Sequence, residues 1–234
     1  MYIPFLMFPS IIFLILFLID TTGHLMAVDK ENEKWIYITK PLMMPLLALY
    51  YAISSIQMNE FDWLIVAALL AGCAGDTFLM LKGNENYFLL GMVSFLLGHV
   101  FYIISFILSM GTEIVLMLIV GPLLFIPVLV ILYFTFPRYK DNMGDYKIPI
   151  YVYMGVILLM HVFAILRGTQ YPLYCSCFIS TYIGSILFIF SDSLIAVDKF
   201  GEKKIPRIRI YIMETYILGQ FLITMGVLLA GYLY

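Results

Sequence analysis

Eight runs of about twenty apolar residues follow one another along this chain with short polar links between them, and twenty is the helix length that crosses a bilayer. The runs are Ile3–Ile19, Pro41–Gln57, Trp63–Leu81, Tyr87–Met110, Ile114–Phe136, Ile148–Leu166, Pro172–Val197 and Ile210–Tyr232. Of the 234 residues, 63% are hydrophobic and only 12% charged, where a soluble domain carries about 25% charged residues. Such a chain cannot cover a water-facing surface, so lipid is its solvent. In lipid each segment must satisfy its own backbone, which selects helices. The expectation is an all-α polytopic bundle of eight spans in a single integral-membrane domain, residues 1–234. Met1–Ile19 has no basic start and no small-residue cleavage site, so it reads as a retained span rather than a signal peptide.

The basic residues set the orientation. Lys30, Lys34 and Lys40 follow the first span, Lys82 the third, Arg138, Lys140 and Lys147 the fifth, and Lys199, Lys203, Lys204, Arg207 and Arg209 the seventh. Only Arg167 falls in an even-numbered link. The positive-inside rule makes the basic links cytosolic and both termini non-cytosolic. The membrane is the endoplasmic reticulum for a eukaryotic chain and the cytoplasmic membrane for a bacterial one. The net charge of −2 and scattered bases offer nucleic acid nothing to bind.

Two carboxylates interrupt the apolar runs: Asp76 in GCAGDTFLML and Asp192 in LFIFSDSLIAV. An Asp at the centre of a span costs about 2.5–3.5 kcal/mol to insert, so such residues mark functional sites facing the bundle interior. At 1.5 Å per residue, Asp76 lies about 9 Å from the cytosolic end of its span and Asp192 about 10 Å. Glu214 and Tyr216 reach a similar level, while His99 and Gln220 lie deeper and Lys40 sits at the cytosolic mouth of span two. A faint four-plus-four duplication pairs DTFLM with DSLIA, LLGHVF with ILGQFL, and Lys40-Pro41 with Lys147-Ile148-Pro149.

Each position also has a plainer reading. The aspartates can be a structural polar pair capped by the Ser191 or Thr77 hydroxyls or by Lys40, Lys40 a snorkelling lysine, and His99, Tyr102, Tyr216 and Gln220 interhelical hydrogen bonders. Glu214 reads as an interfacial partner of Arg207 or Arg209, His161 as a packed histidine, and His24 as a solvated loop residue. Cys73, Cys175 and Cys177 form no disulfide framework and no zinc spacing, and the C-x-C reads as packing. Three histidines on three segments do not make a zinc hydrolase, and no G-x-S-x-G is present for a serine nucleophile.

Several segments together resemble the YhhN-like membrane proteins, the lysoplasmalogenase family: TKPLMMPLL (Thr39–Leu47), AGDTFLML (Ala74–Leu81), GMVSFLLGHVFYI (Gly91–Ile103), SDSLIAVDKF (Ser191–Phe200) and YILGQFLI (Tyr216–Ile223). The stretch Gly111–Gln170 is similar only in hydropathy. The resemblance implies an eight-span enzyme that splits the vinyl-ether bond of lysoplasmalogens into a fatty aldehyde and glycerophosphoethanolamine or glycerophosphocholine. The family's polar positions have matches in Lys40, Asp76, His99, Tyr102, Asp192 and Gln220.

A vinyl ether resists nucleophiles and yields to acid. Protonation at the β carbon gives an oxocarbenium ion, water adds, and the hemiacetal collapses. Two carboxylates in different protonation states supply the proton donor, the negative group and the water-positioning base, as in glycosidases. Asp76 and Asp192 are the expected catalytic pair. Asp192 is favoured as the acid because its aliphatic surroundings are unbroken, while Gly72 and Gly75 near Asp76 admit water. Lys40, His99, Tyr102, Tyr216 and Gln220 are the expected substrate-binding residues, with Lys40 reaching the phosphate of a lysophospholipid. No metal or other cofactor is needed, and the partners are the substrate and membrane lipid. The alternative is a small membrane transporter or lipid-binding protein without catalysis.

Overall fold

The computed structural model describes residues 9–58, 61–84 and 86–231. Among them the secondary structure is all helical, with eight spans long and apolar enough to cross a membrane. This is a multi-pass membrane protein. The helices are α1 (Ser10–Asp29), α2 (Glu33–Gln57), α3 (Trp63–Met80), α4 (Asn86–Leu108), α5 (Ile114–Leu124), α6 (Ile126–Thr135), α7 (Lys147–Leu166), α8 (Ser176–Phe200) and α9 (Ile208–Ala230). Together α5 and α6 make one span. The chain divides into two compact units, one up to Ser105 and from Val227 onward, the other Phe106–Gly226.

In the first unit the sequence misplaces the first two spans. Residues 3–8 of the expected Ile3–Ile19 span lie outside the described residues, and α1 runs ten residues past Ile19. It stops at a C-terminal cap in which Asn32 N–H bonds Ala27 O (2.8 Å) and Glu31 N–H bonds Val28 O (3.2 Å). Glu31 holds the left-handed position there, with φ 52°. Glycine usually marks that position, and its absence hides the stop. Asn32 then caps α2 by accepting from Trp35 N–H at 3.3 Å. Lys34 and Lys40 are therefore helical, not loop, residues.

Pro41 and Pro45 lie inside α2 rather than at its start. Pro45 has no N–H for the carbonyl of Pro41, four residues back. The Cys73 thiol of α3 takes up that freed oxygen at 3.3 Å. Proline survives within a span when a neighbour re-satisfies the backbone in this way.

Glycines let α4 lie close against α3. A Cβ on Gly98 would meet Ala68 O at 3.2 Å, and one on Gly91 would meet Leu79 Cδ2 at 2.9 Å. At the other end, Asp62 caps α3 by accepting from Leu64 N–H (2.9 Å) and also accepts the Ser105 hydroxyl at 2.6 Å.

The second unit repeats two of these devices. The span α5–α6 breaks at Phe125, between Pro122 and Pro127. Val128 N–H bonds Phe125 O instead of Leu124 O, and the Tyr182 hydroxyl of α8 takes Leu124 O at 2.8 Å. Helix α9 meets α8 through Gly184, Gly219 and Gly226. A Cβ on Gly184 would lie 2.8 Å from Gly219 O, and one on Gly226 would lie 2.8 Å from Cys177 O. Leu118, Ile119, Tyr133 and Phe134 are exposed, as lipid-facing side chains of the fifth span should be.

Candidate functional site

Asp76 is buried in the interior of the first unit, and Lys40 Nζ lies 3.3 Å from its Oδ1. Lys40 is the eighth residue of α2, not its first. The duplication therefore loses one member: Lys147, its supposed counterpart, opens α7. Because α2 begins two turns earlier than hydropathy indicates, the lysine projects into the unit and not at its rim. Cys73 stands one turn before Asp76 on α3, and Thr77 donates to Cys73 O at 2.8 Å.

Next to Lys40, Thr39 ties α2 to α1. Its hydroxyl donates to Trp35 O at 2.8 Å, and the same oxygen lies 2.8 Å from His24 Nδ1. A carbonyl can only accept, so the hydroxyl proton goes to Trp35 and His24 Nδ1–H donates to Thr39. His24 is completely buried, which corrects its reading as a solvated loop residue. Asp29 nearby made the segment look like a loop, but His24 falls on the inner side of a continuing helix.

His99 and Tyr102, one turn apart on α4, are both buried. The close approaches of Gly98 to Gly72, Gly75 to Phe95 and Gly91 to Leu79 fix the register of α4 on α3. That register sets His99 level with Ala71, deeper than Asp76 by about 7 Å at 1.5 Å per residue.

In the second unit, the Tyr153 hydroxyl of α7 donates to Asp192 Oδ2 of α8 at 2.5 Å. Ser191 beside it donates to Ile212 O at 3.0 Å, fixing α9 against this part of α8. Tyr216 and Gln220 are one turn apart on the buried face of α9, and Tyr216 meets the Phe188 ring edge to face at 5.5 Å. Glu214 is exposed. His161 is the packed histidine the sequence indicates, its Nδ1 2.8 Å from Ser185 Oγ.

Tyr153 is the residue that the sequence reading missed. The signal was present: it lies six residues after Lys147, about 9 Å into the span, which is the level of Asp192. Reading depth for carboxylates alone passed over a phenol at the same level.

The two aspartates occupy equivalent local frames. Gly98 approaches Ala68 O and Gly72 N, and Asp76 follows Gly72 by one turn. Gly219 approaches Gly184 O and Phe188 N, and Asp192 follows Phe188 by one turn. The next residue of the approaching helix is His99 in one case and Gln220 in the other. The duplication of LLGHVF and ILGQFL is thus a duplication of helix contacts. Exposure and neighbours differ: Asp76 is buried beside the Lys40 ammonium, while Asp192 is half-buried and accepts from the Tyr153 phenol, which corrects the expectation that Asp192 has the drier surroundings. Among the described residues, no three His, Cys, Asp or Glu side chains gather as a metal site.

A profile described as the YhhN family matches residues 35–227. Lysoplasmalogenase TMEM86A of Bos taurus is 28% identical over 174 residues, which cover 69% of this chain and 64% of that protein. The match thus spans just under two thirds of that relative's length. No solved structure matches the chain.

Proposed function

The chain belongs to the YhhN family, and from that premise we propose that it hydrolyses the vinyl-ether bond of lysoplasmalogens, releasing a fatty aldehyde and a glycerophospho-alcohol. The observation that supports the reading is that the two aspartates, set on matching helix contacts, have different surroundings. Lys40 compensates Asp76 as a carboxylate. Tyr153 gives Asp192 a neutral donor, and a phenol serves the carbonyl oxygen of a carboxylic acid as well as it serves a carboxylate. Acid and base assignments follow from carboxyl groups whose environments differ in this way. The name of the bovine relative supports the same substrate class.

In this reading Asp192 protonates the β carbon of the vinyl ether. The oxocarbenium ion that forms is stabilised by the charge of Asp76, which also orients the water that attacks it. Proton transfer by a placed side chain contributes about 10²–10⁴-fold. Lys40 keeps N–H donors beyond the one facing Asp76, and these are available to a substrate phosphate. His99, Tyr102, Tyr216 and Gln220 hold the glycerol and the water. The reading takes residues 1–234 as one integral-membrane domain with both termini non-cytosolic. It calls for no cofactor.

The test compares three lipids on the purified protein in detergent: a lysoplasmalogen, its saturated alkyl-ether analogue and an acyl lysophospholipid. Aldehyde from the vinyl ether with the alkyl ether untouched supports the mechanism, because only the vinyl ether has an alkene to protonate. Equal turnover of the acyl lipid places the chemistry at an ester instead. No turnover of any of them returns the chain to lipid binding or transport.

A further inference from the structure

The sulfur pair at the start of α8 plays no part in the chemistry above. Cys175 is the N-cap of α8, with extended backbone (φ −70°, ψ 135°), and Cys177 lies in the first turn. Within a regular helix, residues i and i+2 face apart. Here the switch from extended to helical backbone brings them to one side, with the two Sγ atoms in contact. Both thiols are free. Cys177 is fully buried and Cys175 half-buried.

The surrounding structure holds Cys177 still. Thr181 donates to Cys177 O at 3.0 Å, and Arg167 Nη1 donates to Thr181 Oγ1 at 2.9 Å. Gly226 lets α9 press against the same carbonyl. One sulfur is fixed and covered while the other is reachable, which is the arrangement of a resolving and an attacking thiol.

We propose that Cys175 and Cys177 are a vicinal dithiol site that exchanges with small disulfides of the glutathione class and closes to an intrachain disulfide. Cys175, as thiolate, attacks one sulfur of the oxidised ligand. A mixed disulfide forms, and the first glutathione leaves as thiolate and takes a proton. Cys177 then attacks the Cys175 sulfur and expels the second glutathione. Two protein S–H bonds are lost, one protein S–S bond forms, the ligand's S–S bond is cleaved, and two glutathione thiols result. Exchange requires the attacking thiol to be accessible and the second sulfur to be within reach of the mixed disulfide. The orientation expected from the basic links puts this end of α8 on the non-cytosolic side, where disulfides persist.

The test incubates the full chain in detergent micelles with oxidised glutathione and reads intact mass and peptide linkage. The expected result is loss of two hydrogens from the wild type, with Cys175 joined to Cys177 and Cys73 still a thiol. Cys177→Ser should retain one glutathione on Cys175, and Cys175→Ser should leave Cys177 unmodified. A stable glutathione adduct on wild-type Cys175, or both thiols remaining free, overturns the proposal. The wild-type mass decides it even where a serine variant does not fold.

Discussion

Removing the ammonium from the Lys40–Asp76 pair should cost far more than removing both partners together. The side chains are 14% and 3% exposed, and the charges are 3.3 Å apart. At that separation the attraction is about 5 kcal/mol for an effective dielectric of about 20. Taking one partner from a buried pair costs about 3–5 kcal/mol, because the other charge is left uncompensated. Lys40→Met should destabilise the protein by that amount, and Asp76→Asn should do likewise by stranding the lysine. The double variant removes both desolvated charges and should lie close to wild type, since an apolar replacement of a buried pair is often neutral. A double-mutant cycle then gives a coupling of magnitude about 6–10 kcal/mol, the sum of the two single losses. The assay is unfolding in mixed micelles followed by Trp fluorescence. A coupling under about 1 kcal/mol, the range of solvent-exposed pairs, would show that Lys40 does not hold Asp76 and would remove the basis for assigning it the charged role.

Four other outcomes follow from the same geometry. Tyr153→Phe should cost about 0.5–1.5 kcal/mol of stability and lower turnover with little change in KM; unaltered turnover would exclude Tyr153 from positioning Asp192. A Cβ at Gly226 would meet Thr181 Oγ1 and lie 2.7 Å from Thr181 N, so Gly226→Ala should destabilise by at least about 1–3 kcal/mol in thermal unfolding. Gly155 has nothing within 4 Å of its missing Cβ, so Gly155→Ala in the same assay should be neutral or stabilise by up to about 1 kcal/mol. In heavy water the released aldehyde should carry one deuterium at the carbon next to the carbonyl, seen by mass spectrometry; an unlabelled aldehyde would rule out protonation of the alkene.

Hydropathy located eight spans because lipid imposes length and apolarity on each of them. It failed at α1 and α2 because the true boundary is set by local geometry. Asp20, His24 and Asp29 resemble a loop in composition, yet His24 is satisfied by Thr39 from the next helix. Pro41 and Pro45 resemble a helix start, yet the Cys73 thiol makes good the carbonyl that Pro45 leaves. Such compensations come from other segments and leave no local trace. The same limit applies to the candidate site. Asp76 and Asp192 were legible because a carboxylate in an apolar run is costly. Of their partners, Lys40 was legible as a possible cap of the aspartates, and the pair with Asp76 bears that out, while Tyr153, one of eighteen tyrosines, was not. The duplication was legible in its glycines, Gly98 and Gly219, because close helix contact admits nothing larger.

The most direct test of the central claim measures aldehyde release from a defined lysoplasmalogen by wild type, Asp76→Asn and Asp192→Asn, each shown to be folded and monodisperse. The account predicts aldehyde from wild type and a fall of about 10²-fold or more in both variants. Equal release from all three would take the aspartates out of the chemistry, and no release from folded wild type would contradict the hydrolase reading itself.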